Sequence, residues 1–116
     1  MRREDLARAV ADAVVDVPGV ARLHPGTVVE VATLFPGGKV IGLRLSGEVV
    51  EVHLVADRVP LPPVADEAAA AARRVLAAAG DGRDVRIVIE DVEAFAVERR
   101  AAARLGSAPN PPFEGI

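Results

Sequence analysis

Val17-Pro18-Gly19-Val20 sets a hard limit on what the first part of this chain can form. Proline lacks an amide hydrogen and its ring collides with the preceding helical turn. Glycine tolerates the reversed backbone that closes a helix, so a helix running into this segment must stop there. The residues before it have that character. Over residues 4–16 and into the stop, Leu6, Val10, Ala13, Val14 and Val17 share one stripe, and Asp5, Arg8 and Asp12 take the other side. Val15 lies nearly opposite Leu6, outside the stripe.

Beyond the stop the periodicity changes to that of strands. Thr27–Leu34 is rich in β-branched residues, Pro36-Gly37-Gly38 is a hairpin signal, and Val40–Leu45 follows it. Ser46-Gly47-Glu48 turns the chain again into Val49–Ala56. In that third strand Val50, Val52, Leu54 and Ala56 point one way, and Glu51 and His53 the other, so one sheet face is expected to be wet or to meet a partner. In the second strand Ile41, Leu43 and Leu45 form the expected buried row, with Arg44 opposite.

Val59-Pro60-Leu61-Pro62-Pro63-Val64-Ala65 leads into a second helix, about Pro62–Ala79. Proline suits a first helical turn, where the missing N–H costs nothing. Val64, Ala68, Ala71, Ala72, Val75 and Ala79 make its inward stripe, and Gly80 ends it. A fourth strand, Val85–Val92, is expected to bury Val85, Ile87 and Ile89 and to expose Arg86 and Glu90. A last helix, Glu93–Leu105, carries Arg99, Arg100 and Arg104 on its polar side. The reading is an α+β two-layer sandwich in α-β-β-β-α-β order with an added C-terminal helix. Residues 1–105 form a single domain and residues 106–116 a Pro/Gly-rich disordered tail.

The chemistry available is narrow. The chain has 116 residues, no Cys, Trp or Tyr and only three Phe, so its single core is expected to be thin and built from small side chains. Thiolate chemistry and zinc–sulfur sites are excluded. The net charge of -3 argues against a general phosphate-backbone binder. Ser46 sits in a hairpin turn and Ser107 in the tail, and neither has the strand–turn–helix setting of an activated nucleophile. His53 reads as a solvent-facing strand residue, and a catalytic role would need a pocket that brings it close to two carboxylates. His24, before Pro25-Gly26, reads as a loop residue. Pro36-Gly37-Gly38-Lys39 lacks the spacing and the Ser or Thr of a phosphate loop. Asp81, Asp84, Glu90, Asp91 and Glu93 do not match a calcium loop. No catalytic residue, metal site or cofactor is therefore expected, nor any small-molecule substrate.

The order of these pieces resembles the alkaline shock protein family of the bacterial envelope-stress response. The helix into Val17-Pro18-Gly19-Val20, the strand Val49-Val50-Glu51-Val52-His53-Leu54-Val55, the proline-led helix and the closing Val85–Val92 carry the likeness. The chain has Asp57-Arg58 where the family often has Tyr-Gly, and Ala where the family's second helix has regularly spaced Val. The resemblance implies a non-enzymatic scaffold or adaptor that forms homo-oligomers and binds a membrane-anchored protein. It implies a cytoplasmic location, peripheral at the inner face of the cell membrane through that partner. Val17, Pro18, Gly19 and Val20 are the expected structural motif. Glu51, His53, Asp57, Arg58 and Val59 are the expected partner contacts, because a polar row on an apolar strand runs into a rigid proline-rich loop. The alternative is a small nucleic-acid-associated domain using the Arg-bearing last helix.

Overall fold

The computed structural model describes residues 1–93. Of the helix expected over Glu93–Leu105 only Glu93 falls within these residues; Arg99, Arg100, Arg104 and the tail from Gly106 lie outside them. Two helices and six strands follow in the order α1 (Arg3–Val15), β1 (Val20–Leu23), β2 (Ala32–Phe35), β3 (Gly38–Ile41), β4 (Leu43–Ser46), β5 (Val49–Ala56), α2 (Leu61–Ala78) and β6 (Asp84–Val92). The fold is α+β.

Strand β5 is the centre of the main sheet. The β4 strand pairs antiparallel with its first half, Leu43 opposite Val52 and Ser46 opposite Val49, across the expected Gly47-Glu48 turn. The short β1 takes the rest of the same edge, Leu23 opposite Leu54 and Val20 opposite Ala56. Between them the His24 amide donates to the His53 carbonyl at 2.8 Å and the His53 amide donates to Gly42 O at 2.9 Å, so that edge is closed along its length. On the opposite edge β6 pairs in parallel from Val49–Asp84 to Ala56–Val92. The return through α2 makes this possible, since parallel neighbours need a crossover.

Both helices lie against one face of this sheet. Val50, Val52, Leu54 and Ala56 of β5 are fully buried in a single cluster with Leu6, Val10 and Val14 of α1 and Val64, Ala68, Ala71, Ala72 and Leu76 of α2. Val75, Ala79, Val85, Ile87 and Ile89 pack around it, as their spacing predicts. Val15 is exposed at 42%. Among the described residues the largest fully buried side chains are leucines and valines. Alanine on α2 leaves no bulk to hold the layers apart, so small side chains are compensated by close approach.

Three expectations change. The β1 strand was not anticipated, because Val20–Leu23 is too short to show a period. Thr27–Leu34 is not one strand. Only Ala32–Phe35 pairs, and the chain before it closes on itself through the Val31 amide donating to Pro25 O at 2.8 Å. Its β-branched residues misled, since Val28 and Val29 stand 93% and 68% exposed. Val40–Leu45 is also not one strand. Gly42, at φ +90°, breaks it into β3, which pairs with β2, and β4, which joins the main sheet. A Cβ there would lie 2.7 Å from Leu23 Cβ. The break resets the alternation, so Leu43 and Leu45 are buried while Ile41 is 43% exposed.

The β2–β3 hairpin is held to the body by polar groups. Thr33, fully buried, donates from Oγ1 to Leu43 O at 2.7 Å and accepts from the Leu45 amide at 3.3 Å. Arg3 donates to Leu34 O at 2.7 Å and to Leu45 O at 3.1 Å, and the Arg8 guanidinium lies 4.7 Å from the centre of the Phe35 ring.

Two substitutions test this account by urea unfolding. Thr33→Val keeps the shape but leaves Leu43 O and Leu45 N–H without this partner, and should cost about 1–3 kcal/mol. Gly19→Ala should cost about 1–3 kcal/mol from its φ of +102° alone, and more because the new Cβ would lie 2.8 Å from Val64 Cγ2. Gly37→Ala, at φ +87° with open space around it, should show the smaller loss; equal losses would remove close packing from the explanation.

Candidate functional site

The two proline-bearing segments of the sequence meet in space. Val17 and Val20 are buried on either side of the Pro18-Gly19 turn and anchor it in the core. The turn is closed by the Val20 amide donating to Val17 O at 3.1 Å. Gly19 O then accepts from the Asp57 amide at 2.9 Å, which ties the end of α1 to the segment leaving β5. Gly19 also lies against Val64 and the aliphatic stem of Arg58, close enough that a Cβ at position 19 would collide with Val64 and crowd Arg58. Val17, Pro18, Gly19 and Val20 thus close the end of α1 and lie against the segment that starts α2.

On the outside of this contact the chain forms a groove. Pro18, Arg58, Val59, Pro60, Pro63 and Glu67 line a concavity of about 290 Å³. A second concavity, about 330 Å³, lies between the end of α1 and the middle of α2, lined by Asp16, Pro18, Glu67 and Arg74 among others. Pro18 and Glu67 border both, so the two form neighbouring halves of one corner. Val59 is 59% exposed at its rim. Arg58 Nε sits 3.2 Å from Asp57 Oδ1. Prolines lose little conformational freedom when such a surface is covered, so a partner can bind here at low entropic cost.

The expected contact residues divide between two places. Arg58 and Val59 line this corner, and Asp57 stands next to it, its amide on Gly19 O and its carboxylate beside Arg58. Glu51 and His53 do not: they lie on the helix-free face of the sheet. His53 is only 8% exposed, so its expected solvent-facing position is corrected. The segment between β1 and β2 supplies part of the cover, its Thr27 Oγ1 donating to Glu90 Oε1 at 2.9 Å. His53 Nδ1–H donates to Glu90 Oε2 at 2.6 Å. His53 Nε2 lies 3.2 Å from Glu51 Oε2 but off the line of a hydrogen bond, so this buried nitrogen has no hydrogen-bond partner among the described residues. Glu51 is itself paired with Arg44 at 3.0 Å. Further along the same face Arg22 and Glu93 form an ion pair.

The structure thus brings His53 close to two carboxylates, but within a hydrogen-bonded network rather than in a pocket. The corner concavities are lined by other residues. Glu90 was expected to be exposed, and its partnership with His53 was invisible because it depends on the parallel register of β6 against β5. Pro18, Pro63 and Glu67 were likewise not anticipated as groove residues. The order of the two motifs was the only signal that could have paired them. Among the described residues no group of three or more His, Asp or Glu side chains could hold a metal ion. No helix among them is long and apolar enough to cross a membrane.

Comparison with protein-family models, with curated proteins and with solved structures gives no match to this chain.

The His53 hydrogen bond, followed by that from Thr27, holds the Glu90 carboxyl below its ordinary value of 4.5, against a smaller opposing effect of burial. The unfolded chain therefore takes up this proton first as the pH falls. The stabilisation is complete above pH 4.5 and is lost as the pH drops below it towards the folded-state value. Glu90→Gln, which cannot ionise, should lower the melting temperature at neutral pH and flatten its decline below pH 4.5 relative to the unmodified chain. Parallel melting curves across that range would show that Glu90 contributes nothing through its charge.

Proposed function

We propose that this chain is a non-enzymatic scaffold or adaptor domain of the alkaline shock protein type, working in the bacterial envelope-stress response. It acts by self-association and by binding a membrane-anchored protein, and it belongs on the cytoplasmic side of the membrane. The observation that supports this reading most is the meeting of Val17-Pro18-Gly19-Val20 with the 57–64 segment. These are two of the pieces that carry the family resemblance, and in three dimensions they build one exposed proline-lined corner. Its lining is small, rigid and of mixed charge, which suits a protein surface or an extended chain better than a compact polar substrate.

The contact residues assigned to this function are accordingly Asp57, Arg58 and Val59, together with Pro18, Pro63 and Glu67 of the same corner. Glu51 and His53 support it indirectly on the helix-free face, Glu51 tying β5 to β4 through Arg44 and His53 tying β5 to β6 through Glu90.

The test is co-sedimentation of the purified chain with bacterial membranes, with protease-stripped membranes and with protein-free vesicles of the same lipids. Binding to untreated membranes alone is expected. The double variant Arg58→Glu/Val59→Asp should reduce it at least about tenfold, because charge reversal and loss of an apolar anchor at the rim act together. Equal binding to protein-free vesicles, or an unaffected double variant, would count against the corner as the docking site.

A further inference from the structure

We propose that the outward face of the β2–β3 hairpin is the surface through which two copies of this chain meet about a two-fold axis. This rests on the self-association reading above and gives it a location, separate from the proline-lined corner.

The hairpin register fixes which side chains share a face. Ala32 stands opposite Ile41, and Leu34 opposite Lys39, so these four project together while Thr33 and Val40 project the other way. Thr33 is fully buried and bonded to β4, which identifies the inner face. The outer face therefore points away from the body. It carries Leu34 at 65% exposure and Ile41 at 43%. Two large apolar side chains set diagonally across a short, polar-anchored hairpin stand outside this chain's own core cluster. Adjacent exposed apolar groups of this kind mark contact surfaces.

The charges on the same face select the occupant. Lys39 Nζ lies 2.9 and 3.0 Å from the two carboxylate oxygens of Glu30, immediately beside the apolar pair. The patch thus holds one positive and one negative side chain and is neutral, on a chain whose net charge is -3. Two copies repel one another in general, and a neutral apolar surface is where they can approach. A contact about a two-fold axis also requires self-complementarity, each surface meeting its own image. One acid and one base flanking Leu34 and Ile41 meet that requirement. Lys39 of each copy faces Glu30 of the other, and the two ion pairs become a ring of alternating charge around four apolar side chains. A strongly basic or acidic partner would instead favour a face of one sign. The face is also held in place beforehand, by Arg3 on the Leu34 carbonyl and by Thr33, so ordering it costs little.

The charge arrangement makes its own test. Lys39→Glu leaves two acids on the face, and Glu30→Lys leaves two bases. Each variant alone should repel its own image, while a one-to-one mixture restores opposite charges at every meeting point. Sedimentation equilibrium of the full chain, over a wide concentration range and at low salt, would compare the unmodified protein, each variant and the mixture. The unmodified chain is expected to dimerise. Each single variant should dimerise at least about tenfold more weakly, and the mixture should recover most of the loss as a heterodimer. Leu34→Ser, which alters no charge, should also weaken dimerisation, and it carries the test if a charge variant fails to fold. If the unmodified chain associates but these variants associate equally well, or if the mixture shows no recovery, the hairpin is not the contact and self-association must be sought elsewhere. A chain that stays monomeric at every concentration would overturn both this proposal and the self-association reading beneath it.

Discussion

Close approach between layers is the constraint on which this domain depends. Without bulky aromatic side chains among the buried groups of residues 1–93, the cluster of Val, Leu and Ala closes only if the helices come down tightly onto the sheet. The consequences are local and specific. Ala68, Ala71 and Ala72, buried in the shared cluster, let α2 settle against α1 and β6. Gly19 lets the end of α1 touch Val64, and Gly42 lets the chain pass close beside Leu23 at the end of β1. Dispersion contacts are individually weak and are lost quickly with separation, so a small-residue core tolerates gaps poorly. Directional bonds then fix what packing alone would leave free to slide. Thr33 and Arg3 orient the hairpin, and Glu90 with His53 sets the helix-free face.

This division of labour gives the two sides of the main sheet different characters. The helix side is apolar and structural. The opposite side is a run of polar contacts, the ion pairs of Arg44 with Glu51 and Arg22 with Glu93 and the hydrogen bond of His53 to Glu90, part of it under the loop between β1 and β2. A polar row on a strand is ambiguous between a surface awaiting a partner and a network satisfied within the fold. Here the network accounts for Glu51 and His53. The surfaces proposed for other molecules lie at the margins, at the proline corner and on the hairpin.

How far the sequence could lead is clear from particular residues. Helix α1, strand β5, helix α2 and strand β6 were legible because each has a long period and a chemical stop: Pro18-Gly19, the turn before Val49, the prolines before Val64, and Gly80. The middle of the chain was less so. Val28 and Val29 have strand-forming side chains but sit in a loop, because Pro25-Gly26 closes the backbone before them. Gly42 reads as an ordinary small residue within a strand, and only its contact with Leu23 explains why the chain must change sheets there. At the candidate site, Asp57, Arg58 and Val59 could be selected from their place beside the prolines. Glu90 could not be joined to His53, nor Pro18 to Pro63, because those pairings depend on which strands run parallel and on where α2 returns.

The parallel seating of β6 has a kinetic meaning as well. The β4–β5 ribbon needs only a tight turn and can form once residue 56 has emerged from the ribosome. One edge of β5, the most deeply buried strand, then stays unsatisfied until α2 has folded and residues 84–92 have arrived. Contacts of such long sequence separation form slowly, and an open apolar strand edge is where chains join wrongly. During synthesis this protein therefore passes through a stage in which its future centre is its stickiest surface, and the time needed to make residues 57–92, far longer than a helix takes to form, sets how long that stage lasts.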